Sequence, residues 1–182
     1  MNTFIALFRG INVGGANKLP MRELVGVLEG LGLREIKTYI QSGNVLFKSD
    51  NGDLPDLAGR IGAAIEESHG FRPQVLLLGL DDLASAIASN PFPEAEGAPK
   101  TLHLYFLASA PEDLNLGALE RFRREGERFV LEGEVFYLHA PEGIGRSKLA
   151  ARVEKVLGVP ATARNWRTVG KIMAMAQRSA IE

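Results

Sequence analysis

The chain has no cysteine among its 182 residues. That excludes a disulfide framework, a thiolate metal site and a thiol nucleophile. Charge of either sign is not in excess: 21 Lys and Arg stand against 22 Asp and Glu, a formal net charge of −1. Indiscriminate coating of nucleic acid or a membrane needs a basic excess, which leaves only local basic patches. Long hydrophobic runs are lacking too. The opening MNTFIALFRG is apolar for five residues before Arg9, has no basic lead-in of a signal peptide, and is too short to span a bilayer. The histidines, His69, His103 and His139, lie far apart with no metal-ligand spacing. No metal and no cofactor are therefore expected, and the location expected is cytoplasmic.

What remains is a globular composition, 46% hydrophobic, with clear periodicity. Phe4 to Phe8 has strand length. Pro20 sits where a first helical turn tolerates it, and Met21, Leu24, Val25, Leu28 and Leu31 repeat at helical spacing up to Gly32. Ile36, Thr38 and Ile40 alternate as a half-buried strand, Ser42-Gly43 turns, and Val45 and Phe47 resume the alternation. Leu54, Leu57, Ile61 and Ile65 mark a helix before the Val75–Leu78 strand. The order is β-α-β-β-α-β.

That order recurs after a helix opened by Asp81 or Asp82 and a Pro-rich joint from Pro91 to Pro99. Leu102, Leu104 and Phe106 predict a strand. Leu116, Leu119 and Phe122 predict a helix, and Phe129–Leu131 and Val135–Leu138 predict a hairpin about Gly133. Gly145-Arg146-Ser147-Lys148 opens a fifth helix through Leu149, Val153, Val156 and Leu157. Ala161–Ala163 predicts a short strand, and a terminal helix carries Trp166, Val169, Met173 and Ala176 on one side. The expected fold class is α+β, with two tandem ferredoxin-like units over residues 1–80 and 101–182 and a linking helix and joint over 81–100. Helices are expected on one face of each antiparallel sheet.

In such a unit the end of the first strand, the start of the first helix and the hairpin tip share one end of the sheet. Arg9, Asn12, Gly14, Gly15, Lys18, Gln41, Ser42 and Asn44 then gather at a helix N-terminus, where free N–H groups favour an anion. The second unit gathers its polar residues at the opposite end, as Arg146, Ser147 and Lys148 with Arg164, Asn165 and Trp166. The two sets are expected to face one cleft. Duller readings stand beside this. Gly43 reads first as a tight turn, and Gly14-Gly15 also suits a sharp strand-to-helix loop. Arg164, Arg167, Lys171 and Arg178 read as one solvated helical face, and Trp166 as packing. The loop is neither a Walker A nor a GxGxxG pattern, since Lys18 follows Gly15 by three residues with no Gly-Lys-Ser/Thr.

The set contains no Asp, Glu, His or Cys, the usual means of acid–base work and of holding magnesium. Cations and amides suit gripping a phosphate or stabilising charge in a transition state. The reading favoured is a binding protein for a phosphate-bearing ligand, either a nucleotide or a short single-stranded nucleic acid, with Tyr39 and Trp166 as stacking surfaces. RRM-style readout is weakly supported, because SGNVLFKS lacks the paired aromatics of that motif. A small-molecule transferase or hydrolase is the alternative. It would use Arg9, Lys18 and Lys148 electrostatically, with Ser42 or Ser147 as nucleophile and Lys148 the only nearby base. A third reading makes the motifs a structural interface between domains or copies of the chain.

The stretches LFRGINVGGANKLPMREL, TYIQSGNVLF, GRSKL and TARNWRTV resemble, in order, the signatures of a bacterial family known as domain of unknown function 1697. The resemblance implies an α+β fold of paired ferredoxin-like units and brings no activity with it. It marks Arg9, Gly10, Asn12, Gly14, Gly15, Lys18, Tyr39, Gln41, Ser42, Gly43, Asn44, Ser147, Lys148, Arg164, Asn165 and Trp166 as characteristic positions.

Overall fold

Eight strands pair into two antiparallel four-stranded sheets. The computed structural model of the chain describes residues 1–179. In the first unit, β1 (Asn2–Arg9) is central, flanked by β3 (Asn44–Ser49) and β4 (Gln74–Gly79), with β2 (Arg34–Tyr39) outside β3. Helices α1 (Met21–Gly30) and α2 (Leu54–His69) fill the two crossings. In the second unit, β5 (Leu102–Leu107) is central between β7 (Val135–His139) and β8 (Ala161–Asn165), and β6 (Arg128–Glu132) lies outside β7. Its helices are α4 (Leu116–Glu120) and α5 (Val153–Leu157). Helix α3 (Leu80–Ala88) follows β4, and α6 (Trp166–Ser179) follows β8. The chain divides into compact units at Ser85/Ala86, and the stretch from Ile172 groups with the first.

Alternation builds each core. Phe4, Ala6 and Phe8 of β1 project to one face with Val45, Phe47 and Leu77, and meet Leu24, Leu28, Leu57, Ile61 and Ile65 of α1 and α2. In the second unit Tyr105, Leu107, Phe136 and Leu138 meet Leu119, Leu149, Val153 and Leu157 in the same way. Phe136 stacks on Phe129 at 5.4 Å and meets Tyr105 edge-on at 5.7 Å. Asp53 caps α2 by accepting from the Asp56 N–H, and Gly70 closes it in the left-handed region.

Several expectations need correction. Ile40 does not belong to β2: the ladder ends at the Tyr39–Asn44 pair, and Ile40 turns out of it with φ of 52° and half its surface exposed. A bulge at Glu35, φ 50°, had already shifted the strand's register. Helix α4 stops before Phe122. Gly145–Lys148 does not open a fifth helix. Ile144–Arg146 forms a separate 3-10 turn, Ser147 is extended, and its hydroxyl accepts the Ala150 N–H to start a second 3-10 turn over Ala150–Arg152 ahead of α5. Arg164 lies in β8, so it shares no helical face with Arg167, Lys171 and Arg178. On α6 the deeply buried apolar positions are Val169, Ile172 and Ala176, with Met173 only half-buried.

Candidate functional site

The glycine-rich loop is a small hairpin. Val13 and Ala16 bridge, the Ala16 N–H donates to Val13 O at 3.1 Å, and the Asn12 N–H donates to Asn17 O at 3.0 Å. Gly14 and Gly15, at φ 59° and 78°, occupy the two central turn positions, where a primed turn requires positive φ twice. Both glycines are exposed, as are Arg9 and Lys18. Arg9 Nη1 donates to Gln74 Oε1 at 3.3 Å. The start of α1 is not left as an uncommitted anion seat. Glu23 brings its own carboxylate to the first turn and meets His69 Nε2 at 2.8 Å.

Asn12 holds this region together. Its amide donates to Leu19 O and to Gln41 O, both at 2.9 Å, and its carbonyl accepts the Leu19 N–H at 2.8 Å. One side chain thus ties the hairpin to the entry of α1 and to the turn after β2. Its own φ of 54° suits asparagine better than most residues. Asn17 adds a bond to Gly10 O at 2.9 Å. Asn44 is fully buried and donates to Tyr39 O at 3.0 Å and Ser42 Oγ at 3.3 Å. The structure therefore brings Arg9, Asn12, Gln41, Ser42 and Asn44 to one end of the sheet. The Asn12 amide is spent on two backbone carbonyls, and that of Asn44 on a backbone carbonyl and the Ser42 hydroxyl. Asn12→Ala strips the buried Leu19 of partners for both its N–H and its carbonyl, and should cost about 2 kcal/mol in urea unfolding.

Ser68 Oγ lies 2.7 Å from His69 Nδ1, and His69 Nε2 meets Glu23, a chain resembling a nucleophile, base and orienter. Ser68 also donates to Ala64 O at 2.7 Å, the ordinary back-bond of a serine inside a helix. With its proton used there, the chain acts as a tie between the start of α1 and the end of α2.

The second unit carries a different kind of surface. A groove of about 510 Å³ is lined by Arg121, Phe122, Arg123, Arg124, Arg146 and Lys148. The expected residues Arg146 and Lys148 are in it, joined by Arg121–Arg124, which the sequence expectation does not include. The run RFRR is visible in the sequence, but the helical spacing of Leu116, Leu119 and Phe122 predicts a cylinder that scatters its cations. Because α4 ends at Glu120, the run instead occupies a turn and the cations gather. Arg123 is matched by Glu120 at 2.6 Å and by Glu127 O, and Arg124 by Glu142 at 3.4 Å. Buried Glu127 accepts the Arg124 backbone N–H at 2.9 Å, which braces the turn. Arg121, Arg146 and Lys148 are exposed and have no ion-pair partner among the described residues. Arg152 lies over the Phe122 ring at 4.8 Å.

Ser147, Arg164, Asn165 and Trp166 are not in the groove's lining. Ser147 is buried as the cap described above. Asn165 accepts the Thr168 N–H at 2.9 Å and caps α6. Arg164 donates to Ala163 O, and burial brings its guanidinium down to about 10, so it stays charged at neutral pH. Trp166, half-buried, is the first residue of α6. Elsewhere in this unit Arg128 bonds Glu94 and lies 4.6 Å over Phe92, so its charge is already engaged.

Among the described residues no three acidic or histidine side chains group as a metal would need, and no helix is long and apolar enough to cross a membrane. No curated protein matches the chain. A solved structure, that of the conserved bacterial protein SP0830 from Streptococcus pneumoniae, is similar with a TM-score of 0.71 and 24% identity, over 96% of this chain and 98% of that one. This likeness bears on the fold alone. The family model described as protein of unknown function (DUF1697) matches residues 1–137, which takes in the RGINVGG and QSGN stretches and Arg121–Arg124 but stops short of Arg146 and Arg164. The chain belongs to that family, the protein-of-unknown-function family DUF1697.

Proposed function

We propose that this protein binds a phosphate-bearing ligand, a nucleotide or short single-stranded nucleic acid, in the basic groove of its second unit. The observation that carries the reading is charge without partners: Arg121, Arg146 and Lys148 flank one concavity with no carboxylate of the described residues on them. Unmatched cations repel one another, and a bound polyanion relieves that repulsion. Guanidinium groups also suit phosphate oxygens by geometry, since their N–H pairs match two oxygens at once. The groove's volume lies within the range typical of small-ligand sites. On this reading Asn12, Asn44, Ser147 and Asn165 build the scaffold, while Arg146 and Lys148 make contact. Each unit's strand order fits a ferredoxin-like βαββαβ repeat descended from a duplication, and we assign the protein to the cytoplasm, where such ligands are abundant.

A thermal-shift panel of nucleotides and short oligonucleotides tests the reading, because a ligand that binds only the native state raises the midpoint by mass action. At least one phosphate-bearing compound should stabilise the protein. Arg146→Ala and Lys148→Ala should each weaken that compound by about tenfold, the size of one charge-assisted contact. No shift with any member of the panel would sink the proposal.

A further inference from the structure

Resting on that reading, we infer that the groove's ligand is a compact nucleoside polyphosphate, a di- or triphosphate, and not a nucleic acid strand. Three features of the lining select it. The first is the charge balance. Among the described residues, two of the five cations are already matched, by Glu120 and Glu142, and three are not. A nucleoside di- or triphosphate brings about that much negative charge in one place, whereas a monophosphate leaves cations unmet.

The second feature is what surrounds the cations. Glu120 and Glu142 are exposed carboxylates held on two of the groove's own arginines. A phosphodiester backbone continuing past the groove would meet them as like charges, at a cost a compact ligand avoids. The third is Phe122. It is one of the lining residues, between Arg121 and Arg123, and the Arg152 guanidinium lies 4.8 Å from its ring. Phe122 also packs against the unit's core, and its half-buried ring is the aromatic surface beside the cations on which a nucleobase would stack. The volume is also several times what a lone phosphate fills.

Calorimetric titration of the whole chain with a nucleoside mono-, di- and triphosphate, inorganic triphosphate and a short oligothymidylate, at about 150 mM salt, tests this. Affinity should rise about tenfold or more from mono- to triphosphate. The nucleoside triphosphate should exceed inorganic triphosphate about fivefold, and Phe122→Leu should close that gap while leaving inorganic triphosphate bound. The gap is measured in the unaltered protein, so it stands even where the Phe122 variant folds poorly. Oligothymidylate binding tighter than the nucleoside triphosphate, or mono- and triphosphate binding alike, would overturn the inference and leave the phosphate-binding reading standing. Failure of every compound to bind, or binding undiminished by Arg146→Ala, would overturn both.

Discussion

Gly43→Ala is expected to cost the first unit roughly 3 kcal/mol or more, through left-handed strain of about 1–2 and overpacking of about 1–3. The position has φ of 86°, and a Cβ placed there would lie 2.6 Å from Phe8 Cβ and 2.7 Å from Ile11 Cδ1. Both neighbours are almost wholly buried, and the Phe8 contact is to the root of its side chain, which no rotamer change can withdraw. The backbone cannot yield freely either, because Gly43 O accepts the Phe8 N–H at 2.8 Å. Gly14→Ala is the matched control. It too has positive φ, 59°, but nothing lies within 4 Å, so it should cost about 1 kcal/mol. Urea unfolding of both variants gives the difference, which reports crowding alone. Equal losses at the two positions would contradict the account.

The second large effect is a dependence of stability on pH through His103. The ring is buried on β5, level with Leu138 and Asn165, and its Nδ1 has no hydrogen-bond partner. Burial brings it down to about 4 from an ordinary 6.5, and the nearby Thr101 backbone offsets only part of the effect. The folded state resists the proton that the unfolded chain accepts. Stability is therefore full above about pH 7, falls as the unfolded chain titrates below 6.5, and stops falling near pH 4. The loss is roughly 2 kcal/mol between pH 7 and pH 5 and roughly 3 by pH 4. His103→Leu removes the titrating group, so its stability should change by that much less over the same interval. Parallel pH profiles for the two proteins would refute the assignment.

These two residues show what could and could not be read from the sequence. Alternation placed β3, β5 and β2 as far as Tyr39, because a period of two puts every second side chain on the core face. Gly43 was legible as a turn. The lack of room for a Cβ that makes it irreplaceable was not, because Phe8 and Ile11 approach it only in the folded unit. Ile40 continued a perfect alternation and still left the strand; turn geometry overrode the pattern there. Asn12 and Asn44 carried the right signal for polar recognition, yet they recognise this protein's own carbonyls. A sequence lists donors and acceptors without saying which are already satisfied.

The basic groove was half-legible. Arg146 and Lys148 stand out in the sequence, but their companions Arg121, Arg123 and Arg124 depend on α4 ending at Glu120, two residues before Phe122. Helix length in a five-residue segment is set by packing rather than propensity, so no local rule would have fixed it. The fold places the RFRR run and the Arg146/Lys148 pair on one concavity.

The central claim is that this concavity grips phosphate, and the most direct measurement is a calorimetric titration with pyrophosphate. The unaltered protein should bind it, more weakly as salt is raised. A triple variant, Arg121→Ala, Arg146→Ala and Lys148→Ala, should lose about 100-fold or more in affinity with its unfolding midpoint preserved, since all three side chains are exposed. Binding that survives the triple change intact would contradict the account.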